Sequence, residues 1–233
     1  MDRPTPENAL SREAAPNAAR KLTAEAIGTF FLFLGVISSG IMAESLATGN
    51  AGVALLSNTL AVGAILFVVI VMLAPISGAH FNPAVTLAFV LRREIGIGLA
   101  FAYVATQLVA GSTAALAAHV MFEQPLIQIA RTARTGIGQW TGEFIATFGL
   151  VLTVLLLVRY RPTAIPAAVA LYISSAIWFT SSTSFANPAI TVARALSDTY
   201  TGIAPADAPM FIGAQLTGAV VAALLAQWLV TDG

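Results

Sequence analysis

Beyond its first 21 residues the chain is a succession of long apolar runs separated by short polar breaks. A helix needs about 20 mostly apolar residues to cross a bilayer. Six runs meet or approach that length: 22–42, 52–73, 97–120, 142–158, 165–179 and 209–230. Two shorter runs, 83–91 and 188–196, do not. At 1.5 Å per residue each spans about 13 Å, less than half the roughly 30 Å of hydrocarbon. Both follow loop residues (Ser77, Gly78; Ser181, Ser182, Ser184) and begin with proline, so the pattern predicts half-helices with Asn82 and Asn187 as their N-caps.

The polar breaks repeat. "EAIGTF" at Glu25 is answered by "EFIATF" at Glu143, "NPAVTLA" at Asn82 by "NPAITVA" at Asn187, and "YVATQL" at Tyr103 by "FIGAQL" at Phe211. Three matches in the same order indicate a duplication, with repeat 1 at about 22–120 and repeat 2 at about 140–230. Three crossings per repeat force the second copy to enter from the opposite face. The two half-helices then dip in from opposite sides and meet near the midplane, an arrangement that marks a substrate path. Non-helical backbone at that depth is tolerated only where it is buried or lines a wet cavity.

Composition agrees. Hydrophobic residues make up 58% of the chain and charged residues 9%, with a mean hydropathy of +0.84. A soluble domain carries about 25% charged residues, so the chain reads as an integral membrane protein. The net charge is zero, and no basic patch argues for nucleic acid. There is no cysteine, hence no disulfide or thiolate chemistry. No phosphate-binding loop, catalytic triad or metal cluster is apparent, so the expectation is no enzyme, cofactor or metal. Residues 1–21 are polar and proline-bearing and read as a disordered tail, with 22–230 as one membrane domain. With the N-terminus inside, eight of the Lys and Arg residues flank cytoplasmic ends. Only Arg131, Arg134 and Arg194 then lie outside, which places both termini in the cytoplasm.

Some polar residues fall inside spans. Glu25 and Glu143 occupy matching repeat positions, where a carboxylate needs a partner or a role. One reading is a proton or cation relay. The other, favoured by the symmetry, is that each carboxylate accepts backbone N–H groups of the neighbouring re-entrant loop. Gln107 and Gln215 take the same supporting role. His80, two residues before Asn82, reads as a packed loop residue, with a ligand or gate as the alternative.

Two N-P-A motifs opening half-helices, six spans and an E-x-x-x-T-F signature in each half resemble the aquaporin or major intrinsic protein family. The resemblance implies six transmembrane helices plus two re-entrant half-helices in two inverted repeats, an all-α membrane fold. It also implies a homotetramer with one pore per protomer. Asn82, Pro83, Ala84, Asn187, Pro188 and Ala189 then line the pore centre. There the half-helix N-termini repel cations and oppose proton leakage while neutral hydrogen-bonding solutes pass.

The resemblance further implies an outer selectivity filter of four residues. Counting from the two asparagines gives Val62, Ser175, Ser184 and Ile190. The family's usual filter arginine is replaced by Ile190, and the aromatic residue and histidine of water-selective members are absent. The expectation is a wide pore for glycerol-like polyols, metalloid acids such as arsenite, and water, similar to a bacterial branch associated with arsenic handling and placed in the bacterial inner membrane. Arg194 stands four residues after Ile190 on the same helix face. Either it replaces the missing arginine one turn further out, or it pairs with Asp198, also four residues on. A water-selective pore and an ion-coupled secondary transporter are the alternative functions. The transporter needs a coupling site that only Glu25, Glu143 and His80 could supply.

Overall fold

The computed structural model describes residues 16–230; most of the expected tail, with Arg3 and Arg12, lies outside the described residues. Among these the architecture is all-helical. Helix α1 runs Ala18–Leu46, α2 Ala51–Ser77, α3 Pro83–Leu91, α4 Ile97–Met121, α5 Ile137–Tyr160, α6 Ile165–Phe179, α7 Pro188–Ala195 and α8 Ala208–Val230, with a 3₁₀ turn at Pro162–Ala164 leading into α6. Six of these helices are long and apolar enough to cross a membrane. The sequence pattern located the eight α-helices and missed the 3₁₀ turn at Pro162–Ala164. It started α1 four residues late, because Asn17 accepts from the Arg20 N–H and caps the helix among polar residues. It started α5 five residues late, since 137–141 is a mixed segment that hydropathy alone does not extend into.

Contacts obey the repeat. Helix α1 packs against α2 and α4, as α5 packs against α6 and α8. Half-helix α3 leans on its own α4 and on α8 of the other half, while α7 leans on its own α8 and on α4. Each half-helix is therefore wedged between the two repeats. Glycine makes the tightest contacts possible: a Cβ on Gly218 of α8 would lie 2.6 Å from the Phe144 carbonyl oxygen, so α5 and α8 meet backbone to backbone. Large apolar side chains also cover the outside (Phe101, Leu171 and Trp228 among them), as a lipid-facing surface requires. The chain is an integral membrane protein.

Candidate functional site

The site starts from four residues that no ordinary sequence would place where they are. Ala79 and Phe81 precede α3, and Ser184 and Ala186 precede α7; all have φ near +50°, the left-handed region. Such residues cost about 1–3 kcal/mol each unless their surroundings impose them. The turn they make aims the N–H groups of the two residues before each asparagine at a buried carboxylate. Glu25 accepts from the His80 N–H at 2.9 Å and the Phe81 N–H at 2.8 Å, and from Ser77 Oγ and Gln107 Nε2, both at 2.8 Å. Glu143 accepts from the Phe185 N–H at 2.8 Å, the Ala186 N–H at 2.9 Å and Gln215 Nε2 at 2.6 Å. Both carboxylates are fully buried. A buried carboxylate that accepts three or four donors ties the loop to the helices around it.

The asparagines do two jobs. Asn82 Oδ1 accepts from the Ala84 N–H at 2.8 Å, and Asn187 Oδ1 from the Ala189 N–H at 2.9 Å, so both cap their helices. Each amide nitrogen then reaches across the repeat boundary. Asn82 Nδ2 donates to the Ala186 carbonyl at 2.7 Å, and Asn187 Nδ2 donates to the Phe81 carbonyl at 2.9 Å. An amide carries two N–H bonds, so each has one beyond its bond across the repeat boundary. Thr86 and Thr191 tie back to the carbonyls of Asn82 and Asn187 at 3.1 and 2.9 Å.

A cavity of about 670 Å³ runs past this junction. One wall is loop backbone and polar side chains, 78–82 and 183–187. The other is apolar, with Val62, Leu66, Ile70, Leu150, Val169 and Ile173 among its residues. His80 lines it too, with Nδ1 3.1 Å from Thr86 Oγ1 and its ring stacked on Phe89.

Three of the four expected filter positions, Val62, Ser184 and Ile190, line the cavity. Ser175 does not: it is solvent- or lipid-exposed on α6, and Ile173 and Ile177 take the cavity face. The spacing count carried no helical phase. Ile173 and Ile177 are one turn apart, so a residue midway between them must point away. Arg194 makes no pair with Asp198, whose partner is Arg131 at 3.7 Å. It is buried instead, lines the cavity, donates from Nε to the Thr201 carbonyl and lies 3.3 Å over the Phe185 ring.

Residues 13–182 match the family described as Major intrinsic protein. The chain is 49% identical over 211 residues to aquaglyceroporin AqpS of Rhizobium meliloti (strain 1021), an alignment covering 90% of each. It belongs to the major intrinsic protein family. Aquaporin NIP2-3 of Zea mays is 32% identical over 200 residues, covering 81% of this chain and 64% of that one. The crystal structure of the aquaglyceroporin from Plasmodium falciparum superposes with a TM-score of 0.71 at 20% identity, over 90% of this chain and 95% of that one, a likeness of fold.

This major intrinsic protein also has a cavity residue that the sequence reading left on the outer surface. Arg134, between α4 and α5, lines the same cavity, 5.1 Å from the Phe185 ring on which Arg194 lies. Burial pushes its guanidinium down from the usual arginine range, partly offset by the charge of Glu143. Its place is fixed by a lacing of two loops. The Arg131 N–H donates to Asp198 and the Arg134 N–H to Asp207, both at 2.8 Å, while the Ala130 N–H reaches the Ala195 carbonyl. A loop without periodicity, held by pairings about 70 residues distant, offers no sequence signal to find it by.

Proposed function

We propose that the protein is a passive channel for small neutral solutes: glycerol-sized polyols and uncharged metalloid acids such as arsenous acid, together with water. The observation that carries this is the apolar lining of Val62, Ile173, Ile177 and Ile190 along the cavity, with no arginine at the position of Ile190 and the guanidinium one turn away at Arg194. An apolar wall opposite a wall of amide and carbonyl groups suits a molecule with carbon on one side and hydroxyls on the other. The name of the relative AqpS, an aquaglyceroporin, points the same way.

The chemistry follows from the junction. Helix N-termini carry about half a positive charge each, and two of them converge with the free amide N–H groups of Asn82 and Asn187. A neutral solute finds donors there; a cation meets repulsion and loses hydration without replacement. The buried hydroxyl of Ser184, beside the cavity, has no hydrogen-bond partner among the described residues. The arrangement favours a channel over an ion-coupled transporter, because both oxygens of Glu25 and of Glu143 already accept from loop N–H groups and from Gln107 or Gln215. We further propose both termini in the cytoplasm, a bacterial inner membrane and a homotetramer with a pore in each protomer.

Swelling of proteoliposomes in a panel of glycerol, urea, arsenite and water gradients tests this reading. Glycerol and arsenite flux should be rapid, linear in concentration and independent of ion gradients. Rapid water flux with none of the three solutes would establish a water-selective pore instead, and saturable gradient-coupled flux a transporter.

A further inference from the structure

At the outer end of the cavity two arginines share one aromatic ring with no acid between them. Arg194 uses its flat face on Phe185 and its Nε on the Thr201 carbonyl. Its two terminal nitrogens have no hydrogen-bond partner among the described residues. Arg134 donates from Nε to the Gly202 carbonyl at 2.8 Å, and its Nη1 stands 3.5 Å from Thr183 Oγ1, at the limit of a hydrogen bond. The ion pairs among the described residues are Arg92–Glu94 and Arg131–Asp198; neither cavity arginine takes part. Asp207 spends its carboxylate on the backbone of Arg134. Glu143 is the acid whose charge reaches both guanidiniums, but its oxygens are taken by the Phe185 and Ala186 N–H groups and Gln215. Two positive charges therefore face one committed negative charge at the wall of this chamber of the cavity, with Arg194 buried there, and such an imbalance attracts a counter-ion. Thr201, 2% exposed and lining the same chamber, adds a hydroxyl with no partner.

We propose that this chamber is a binding site for a small, planar, monovalent oxyanion of the nitrate or formate type, held by the terminal nitrogens of Arg194 and Arg134 beside Phe185, and that its occupancy obstructs the passage of neutral solutes. A planar anion matches the in-plane donors of a guanidinium, which favours it over a tetrahedral or spherical one. Obstruction needs only that the anion occupy the space beside Phe185 that a neutral solute would cross.

The obstruction rests on reading the cavity as the solute path; the binding does not, so two measurements are needed. In proteoliposomes, glycerol flux is compared in sodium nitrate and in sodium gluconate at equal ionic strength. A site with a Kd on the order of 10 mM would be about 80% filled at roughly 50 mM nitrate, slowing flux about fivefold. Arg134→Gln and Arg194→Gln should each bring the nitrate-to-gluconate flux ratio close to one. Independently, wild-type protein in detergent is treated with 2,3-butanedione, which condenses with the terminal nitrogens of arginine, and the modified peptides are identified by mass spectrometry. Nitrate should protect Arg134 and Arg194 and leave the exposed Arg131 unprotected. Protection without a flux effect would keep the site and remove the obstruction. Equal modification with and without nitrate overturns the site, whatever the flux does. Absence of any glycerol flux in gluconate would defeat the channel reading and leave the protection result to decide the site.

Discussion

Two stacks stand at equivalent places in the two repeats, with their chemistry exchanged. In the first, Tyr103 meets His80 edge-on at 5.2 Å, and His80 lies on Phe89 at 4.6 Å. In the second, Phe211 meets Phe185 edge-on at 5.1 Å, and Arg194 lies on Phe185 at 3.3 Å. His80 and Phe185 both come two residues before an asparagine, and Phe89 and Arg194 both come seven after. The nitrogen-bearing group has moved from the loop in one half to the helix in the other. Around these stacks the frame of Glu, Gln, Thr and Asn is the same in both halves. Both loops face one problem, backbone polar groups far from water, and it has one solution. The stacks face the two ends of the pore, where unlike surroundings call for unlike groups.

The frame should be the most sensitive to change. Glu25→Ala strands two N–H groups, the Ser77 hydroxyl and Gln107; at about 1–3 kcal/mol per buried unsatisfied group the loss exceeds about 4 kcal/mol. Glu143→Ala strands one donor fewer. Thermal unfolding in detergent should rank Glu25→Ala below Glu143→Ala, and both far below wild type. Equal midpoints would break the claim that Ser77 makes the first loop the more dependent one.

Next comes a place where the repeats differ in size. A Cβ on Gly28 would collide with the Phe81 ring; the second repeat has Ala146 and Ala186 at the matching positions. Gly28→Ala should cost about 1–3 kcal/mol by overpacking, and Phe81→Ala in the same chain should recover part of it. Two additive losses would mean that the pair is not coupled.

The stacks give smaller and more specific effects. Moving the guanidinium one turn inward with Ile190→Arg and Arg194→Ala should cut glycerol flux about tenfold, a barrier of about 1.4 kcal/mol, while water flux persists. A proportional loss of both fluxes would show blockage and not selection. His80→Phe makes the first stack resemble the second. It removes one hydrogen bond, to Thr86, and should cost only about 0.5–1.5 kcal/mol of stability, seen as a small shift in unfolding midpoint with solute selectivity unchanged.

What could be read from the chain divides along the same line. Span lengths, proline-opened half-helices and the Glu25–Glu143 and Gln107–Gln215 pairs are local or repeat-symmetric, and a repeat is visible without coordinates. The cavity wall is neither. Ser175 was placed by counting through the loop at 180–187, whose left-handed residues Thr183, Ser184 and Ala186 obscure which α6 side chains face inward. Arg194 had two local partners to choose from, Asp198 on its own turn or the filter. The outcome depended on Arg131, 67 residues back, whose N–H and side chain both claim Asp198. Arg134 was beyond reach for the same reason, since loop lacing leaves no period.

The crossed asparagine bonds also set a timetable. Phe81 and Asn82 are bonded to Asn187 and Ala186, partners 106 and 104 residues away. At about 5–20 residues per second a ribosome needs about 5–20 s to deliver them. Throughout that interval the first half-helix has its carboxylate fastener but lacks its counterpart, and it leans on an α8 that does not yet exist. The first three spans must therefore wait in the bilayer with a provisional loop. Nascent chains halted before residue 187 should expose that loop to a protease or a water-borne label, and chains released after α8 should not.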